Sequence, residues 1–409
     1  MKKTLCFILS LILFLNICTT NIYAIGGEDD VITETSVIST KTADLPIEIK
    51  AKSALLMDVE TGTVLLEYNA DEKLYPASVT KVMTILLVAE AISDNRITLA
   101  DRVTCSENAA TKGGSQIWLE PGESMTVDEL LRATVIGSAN DAATLLGEYV
   151  SGSEEAFIAR MNERAKELGM NNTNFVNATG LDDTTDDHLT TARDIALMSC
   201  ELLKHDFIKK YTTVWMDSLR DGATELVNTN KLVRFYEGTT GLKTGTTSKA
   251  GCCISASAQR DGLHLVAVVM GSENSDDRFN TAKAMLNYGF STYTSYLPAV
   301  DMNLIKPVPV IGGKKEFAEV GFNGVKPILI KKGQEQDLTV SVDTCSDVCA
   351  PVLKGQTLGT VTVKHGNETL AEYPITSICD IEKLTLFDSF IKVTNYILNG
   401  DTVYPEFLL

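Results

Sequence analysis

Strand-like patterns at both ends of a long helical tract constrain this chain most. Two short apolar runs, 54–58 and 63–67, are joined by the turn-rich Val59-Glu60-Thr61-Gly62, which predicts a β-hairpin. Far downstream, 252–258 and 263–270 read as two more strands around an Asp261-Gly262 turn. Helical periodicity fills the space between. One helix begins near Pro76, runs through Val82, Leu86, Ala89 and Ile92, and stops at Asp94-Asn95. Others are expected at 127–136, 141–149, 153–168 and 192–203, and one at 280–288 closes the tract. The arrangement implies the α+β class. An antiparallel sheet, assembled from the N-terminal hairpin and the late strands, would carry the helices.

Both ends of the chain differ from this tract. Lys2 and Lys3 precede an apolar run over 5–17, and Ile22-Tyr23-Ala24 offers a cleavage site. Residues 1–24 therefore read as a secretory signal, too short in its apolar part for a spanning helix, and the protein is expected outside the cytoplasm. An uncleaved anchor is the alternative. Leu15-Asn16-Ile17-Cys18 is a poor lipoprotein site because bulky Ile17 stands where a small residue is wanted. Residues 25–48, rich in Thr, Ser, Glu and Asp, form a linker, and 49–297 the main domain. After Pro298 helical periodicity vanishes. Period-two alternation at 338–342 and 360–363, with a turn at 365–368, marks 298–380 as a small all-β domain. The tail, 381–409, turns helical and amphipathic, with Leu384, Phe387, Phe390, Ile391, Ile397 and Leu398 able to share a face opposite Lys383, Asp388 and Asn395. That face suits a membrane surface or a docking site on protein equally well.

Charge and cysteine content exclude some functions. With 36 Lys and Arg against 54 Asp and Glu the net charge is −18, which argues against a nucleic-acid partner. Two of nine cysteines, Cys6 and Cys18, lie in the signal; the other seven are odd in number and irregularly spaced. Most are expected as buried small hydrophobes rather than disulfides. Cys345, Cys349, His365 and Cys379 match no structural zinc spacing well, so a zinc site is not expected there.

Three short motifs carry chemistry. In Ser78-Val79-Thr80-Lys81, positions i and i+3 share a helix face, so the hydroxyl and amine can meet. A serine is a poor nucleophile until a base takes its proton, and lysine serves only if burial or a neighbouring cation keeps it neutral. Ser138-Ala139-Asn140 offers a second hydroxyl, to relay a proton beside Lys81, and an amide to hold Lys81 or a substrate amide. Lys243-Thr244-Gly245, which occurs once, offers a cation and a hydroxyl for a carboxylate on a strand where glycine admits close approach. Lys243 would also be the second cation near Lys81. Singly each motif is weak: Ser389-Phe390-Ile391-Lys392 repeats the first pattern, and Ser93-Asp94-Asn95, Ser106-Glu107-Asn108 and Ser272-Glu273-Asn274 repeat the second. Caps, turns and a solvated edge lysine are their ordinary uses.

In this order and with this context the motifs are specific. They are the three signature elements of penicillin-binding proteins and serine β-lactamases. The segment 75–84 around Ser78, Ser138-Ala139-Asn140-Asp141-Ala142-Ala143, Phe175-Val176-Asn177-Ala178-Thr179-Gly180-Leu181, Gly241-Leu242-Lys243-Thr244-Gly245 and Val268-Val269-Met270-Gly271 resemble the low-molecular-mass penicillin-binding proteins of the serine-type D-alanyl-D-alanine carboxypeptidase kind. The resemblance covers about residues 50–295, and the β-domain and tail fit that family's layout. It implies a transpeptidase-like fold and removal of the terminal D-alanine from peptidoglycan stem pentapeptides, with no metal or organic cofactor and with β-lactam antibiotics as covalent inhibitors. Ser78 would be the nucleophile, Lys81 its base, and Ser138 and Asn140 further catalytic groups. The backbone N–H groups of Ser78 and Thr246 would form the oxyanion hole. Lys243, Thr244, Gly245 and Thr246 would bind substrate, assisted by Arg278, for which a surface salt bridge is the alternative. Two departures stand out: Ala139 stands where many relatives carry glycine, and Thr246 where some have histidine. Fast β-lactam hydrolysis is not expected, because Glu167-Leu168-Gly169-Met170-Asn171, the nearest match to a water-positioning Glu-x-x-Leu-Asn, reads as a helix end. An endopeptidase, a transpeptidase and a non-catalytic wall-associated scaffold are the competing functions.

Overall fold

The computed structural model describes residues 45–183 and 185–399, so the signal and most of the linker lie outside the described residues. The expected hairpin is formed by β1 (Ser53–Asp58) and β2 (Val64–Tyr68). Three late strands, β3 (Thr239–Thr247), β4 (Gly251–Arg260) and β5 (Leu263–Ser272), complete an antiparallel sheet in the order β2-β1-β5-β4-β3. β1 lies directly on β5, with Leu55 opposite Val268 and Met57 opposite Val266. Alternation sends Leu55, Met57, Val266, Val268 and Met270 into one core, and Ala54, Leu56, Leu265, Ala267 and Val269 into the other. Both faces are covered, which is why these strands read as continuous apolar runs rather than alternating ones.

Helices α1 (Lys81–Ser93), α2 (Val127–Val135), α3 (Asn140–Ser151), α4 (Glu154–Glu167) and α5 (Ala192–Leu203) build the larger core on the first face. α1 is central: every side chain from Lys81 to Ala89 is buried. It also starts later than expected. Ala77–Thr80 is a 3-10 turn, entered through Ala77 at φ 49°, and the α-helix begins only at Lys81. The tighter turn eclipses i and i+3, so Ser78 and Lys81 still meet. On the second face lies α6 (Ser275–Thr292), longer at both ends than the expected 280–288. Its first turn is polar and carries no apolar period; the start is set by Asn274, whose side chain accepts the Asp277 N–H.

Beyond α6 the chain is all β up to the tail. Strands Val320–Phe322, Glu368–Ser377, Thr357–His365 and Leu338–Thr344 form one sheet, and Phe317–Ala318, Val308–Ile311 and Val348–Cys349 another. Two small cores hold them, one around Val308, Val352, Leu358 and Ile381, the other around Ile328, Ile330 and Val363. Tyr293–Tyr296, directly after α6, pairs with Ile328–Lys331 and ties the β-domain to the end of that helix. The last helix, α7 (Leu386–Asn399), leaves Leu386, Phe387, Phe390 and Ile391 exposed. Among the described residues no helix is long and apolar enough to cross a membrane.

The cysteines divide. Cys105, Cys200, Cys252 and Cys253 are buried as expected, but Cys345 and Cys349 are exposed and Cys379 half-buried, and these seven are free thiols. Neither residue of the exposed pair belongs to the small cores of the β-domain.

Candidate active site

Ser78 is half-buried in the 3-10 turn, and Lys81 reaches back to it from the first turn of α1. Lys81 is fully buried, and its Nζ lies 2.8 Å from Ser78 Oγ, 2.5 Å from Asn140 Oδ1 and 2.9 Å from the Thr179 carbonyl oxygen. Burial drives the Lys81 pKa well below that of a free lysine; Lys243 pushes it further down and Asp141 opposes. The chemistry follows from valence. A neutral amine has two N–H bonds and one lone pair. Asn140 Oδ1 and the Thr179 carbonyl can only accept, so they take the two N–H bonds, and the lone pair is left facing the Ser78 hydroxyl.

Two glycines make this packing possible. Gly180 stands at φ +87°, and a Cβ there would fall 1.8 Å from the Ala77 carbonyl oxygen. A Cβ on Gly245 would fall 2.7 Å from the Ser78 amide nitrogen. The loop carrying Thr179 and the edge strand β3 therefore close on the nucleophile turn from two sides.

On β3, Lys243 is buried rather than solvated, and burial followed by the charge of Arg278 lowers its pKa to about 7. Thr244 donates its hydroxyl to Thr229 Oγ1 at 2.7 Å, while Thr246 is exposed. Among the described residues Arg278 makes no salt bridge. It is buried in α6 and donates to the Gly245 carbonyl at 3.1 Å, Thr246 Oγ1 at 3.1 Å and the Cys253 carbonyl at 3.3 Å. Ser138 is buried at φ 61°, but it makes no hydrogen bond to Lys81, whose three directions are taken. Ala139 has an ordinary backbone, φ −61° and ψ 123°, so its methyl group is accommodated without strain.

With this geometry the comparisons are decisive. Residues 39–274 match the family described as D-alanyl-D-alanine carboxypeptidase, and residues 297–383 match the penicillin-binding protein 5 C-terminal domain. The chain belongs to the D-alanyl-D-alanine carboxypeptidase family. It is similar to D-alanyl-D-alanine carboxypeptidase DacF of Bacillus subtilis, 42% identical over 87% of this chain and 91% of that protein. DacC of Escherichia coli is 33% identical over 85% of this chain and 88% of that protein. Penicillin-binding protein 5 from Haemophilus influenzae superposes with a TM-score of 0.73 at 28% identity, covering 83% of this chain and 100% of that one. Penicillin-binding protein D2 from Listeria monocytogenes, solved in an ampicillin-bound form, matches at TM-score 0.54 and 32% identity, covering 59% of this chain and 98% of that one.

The site of this carboxypeptidase thus gathers Ser78, Lys81, Asn140 and Lys243, while Thr244 is bonded to Thr229 and Ser138 is buried without a hydrogen bond to Lys81. Several groups around it carry no signature of their own. The Thr179 carbonyl is presented by a turn that Asn177 organises, its Oδ1 accepting from the Thr179 and Gly180 N–H groups at 3.1 and 2.7 Å. The segment was recognisable by resemblance, but a backbone oxygen cannot be told from any other in a sequence. His188 is buried, accepts the Val176 N–H at Nδ1 (3.1 Å) and therefore donates from Nε2 to Thr80 Oγ1 (2.8 Å), a tautomer inferred from that network. Burial lowers its pKa to about 4, so this pin between the loop and the nucleophile turn is uncharged near neutrality. Asp141, next to Asn140, is buried and accepts from the amides of Ile117 and Leu119.

Proposed function

We propose that the protein removes the terminal D-alanine of peptidoglycan stem pentapeptides through an acyl-enzyme on Ser78. The observation that carries this reading is the Lys81 amine, fully buried with its Nζ 2.8 Å from Ser78 Oγ. Ser78 Oγ attacks the carbonyl between the two D-alanines while Lys81 takes the hydroxyl proton. The negative charge that develops on the carbonyl oxygen is met by the backbone N–H groups of Ser78 and Thr246. Collapse breaks the amide bond, and the proton returns from Lys81 to the leaving amine, with the Ser138 hydroxyl as relay once substrate fills the cleft. A water then attacks the ester, its proton passes to Lys81 and on to Ser78 Oγ, and the shortened peptide leaves.

Lys243, Thr244 and Thr246 bind the terminal carboxylate. Arg278 acts through Thr246, whose hydroxyl it holds, and through its charge on Lys243. Gly245 lets the strand approach the nucleophile. Penicillins acylate the same serine; the ampicillin-bound relative supports this. The enzyme works outside the cytoplasm, where its substrate lies, and the exposed Phe387, Phe390 and Ile391 of α7 rest on the membrane surface.

The test is release of free D-alanine from a synthetic stem pentapeptide, beside labelling by a fluorescent penicillin, for wild type and Ser78→Ala. Both signals are expected in wild type only. Labelling without release would replace the carboxypeptidase reading with a transpeptidase or endopeptidase. Neither signal in a folded protein would leave a scaffold.

A further inference from the structure

Trp118 is 74% exposed and stands at φ 57°. A bulky residue keeps a left-handed backbone only where its surroundings over-determine it. Here they do. Its neighbours Ile117 and Leu119 point inward and are buried, and their N–H groups donate to the Asp141 carboxylate at 3.2 and 3.0 Å. The carbonyls of Ile117 and Trp118 accept from the Arg220 guanidinium at 2.8 and 3.5 Å, and Arg220 is held in turn by Glu123 at 2.7 Å. Arg220 is itself at φ 53°. The indole, by contrast, stays mostly in solvent, and its N–H has no hydrogen-bond partner among the described residues. The chain thus bears strain to hold a large aromatic face in water.

The loop that does this also borders the active site. The Asn140 N–H donates to the Ser115 carbonyl at 2.7 Å, and Asn140 Nδ2 to the Gly113 carbonyl at 2.6 Å. Asn140 is the residue that holds Lys81, and Asp141, which grips the loop on both sides of Trp118, follows it in the chain. Trp118 therefore belongs to a loop anchored on Asn140, which orients the base, and on its neighbour Asp141.

We infer that Trp118 is a stacking surface for the part of the substrate on the N-terminal side of the scissile bond, an inference that rests on the carboxypeptidase reading above. An exposed indole attracts flat, saturated C–H faces. A peptidoglycan donor carries that chemistry in two places, the sugar rings of the glycan and the methylene chain of the diamino acid in its stem.

The experiment compares kcat/KM of wild type, Trp118→Ala and Trp118→Phe on N-acetyl-D-alanyl-D-alanine, a stem pentapeptide and a disaccharide pentapeptide. In Trp118→Ala the preference for the disaccharide pentapeptide over the dipeptide falls about tenfold, mostly through KM, the size of one lost contact of about 1.4 kcal/mol. Trp118→Phe restores most of it. A drop already complete with the pentapeptide assigns the contact to the methylene chain, and a drop seen only with the disaccharide assigns it to the sugar. An unchanged preference overturns the inference, whereas wild type that releases no D-alanine from any of the three overturns the carboxypeptidase reading instead. A second measurement uses the chain's having only two tryptophans. In Ser78→Ala/Trp215→Phe, emission from Trp118 shifts to the blue on adding disaccharide pentapeptide; unchanged emission at concentrations well above the wild-type KM also overturns the inference.

Discussion

The two domains of this molecule bury different things. Around the five-stranded sheet, Lys81, Lys243, Arg278, Asp58, Asp141, Asp182, Asp194, His188 and His264 are all buried. In the β-domain, among the described residues, the buried polar side chains are only Thr362 and Ser377. Buried charge disfavours folding unless it is paired or neutralised; Asp58 and Asp194 are held by structural hydrogen bonds, whereas Lys81 and Lys243 lie in the candidate site with lowered pKa values. The β-domain alternates inward and outward along single-sided strands such as Leu338–Thr344, the pattern of a scaffold.

The largest effect should come from removing the buried amine. Lys81→Met is expected to slow acylation by a fluorescent penicillin about 10²–10⁴-fold, the range for losing a general base. Tm should fall by no more than about 2–4 °C, equivalent to roughly 1 kcal/mol, because methionine fills the volume without the cost of burying an amine. A large fall in Tm would break the comparison, since Lys81 would then be serving the fold.

The β-domain should respond in the opposite sense. Leu358, in its core, is 1% exposed. Leu358→Ala should destabilise that domain by about 2–5 kcal/mol and leave kcat/KM on a soluble pentapeptide within about twofold. Calorimetry is the measurement, since both tryptophans precede the β-domain in the chain and do not report on it. A parallel loss of activity would show the two regions to be coupled through the Tyr293–Tyr296 pairing.

The smallest effect is a change in pH profile. Lys243 has its pKa lowered to about 7 by burial and by Arg278, so it is charged below that pH and loses its proton above it. If it meets the substrate carboxylate as a cation, kcat/KM of the free enzyme falls as pH rises through about 7. Lys243→Arg keeps the charge at any accessible pH, so the alkaline fall should disappear even if the maximum is lower. An unchanged alkaline limb in that variant would assign it to another group.

Much of the architecture was legible because it is local. The hairpin turn at Val59–Gly62, the helix boundaries at Ala192 and Leu203 and the turn at Asp261-Gly262 depend on neighbours in the chain, and the structure has them where the pattern put them. Where expectation slipped, local signal was absent or overridden. The first turn of α6 is polar, and the turn before α1, against which Gly180 and Gly245 pack closely, is 3-10 rather than α-helical.

The candidate site divides along the same line. Ser78 and Lys81 lie three residues apart, so their meeting was set by helical spacing, and the order of the three motifs pointed to the family. The sequence by itself therefore determined which side chains are available and which strands and helices carry them. Tertiary structure alone decided the rest. A lysine becomes a base only when burial strips its water and a second cation, distant in the chain, stands nearby. Its lone pair finds Ser78 only because a carbonyl and an amide from two other segments take up its hydrogens. Protonation and orientation are set by everything packed around a group, and that neighbourhood forms only when the chain has folded.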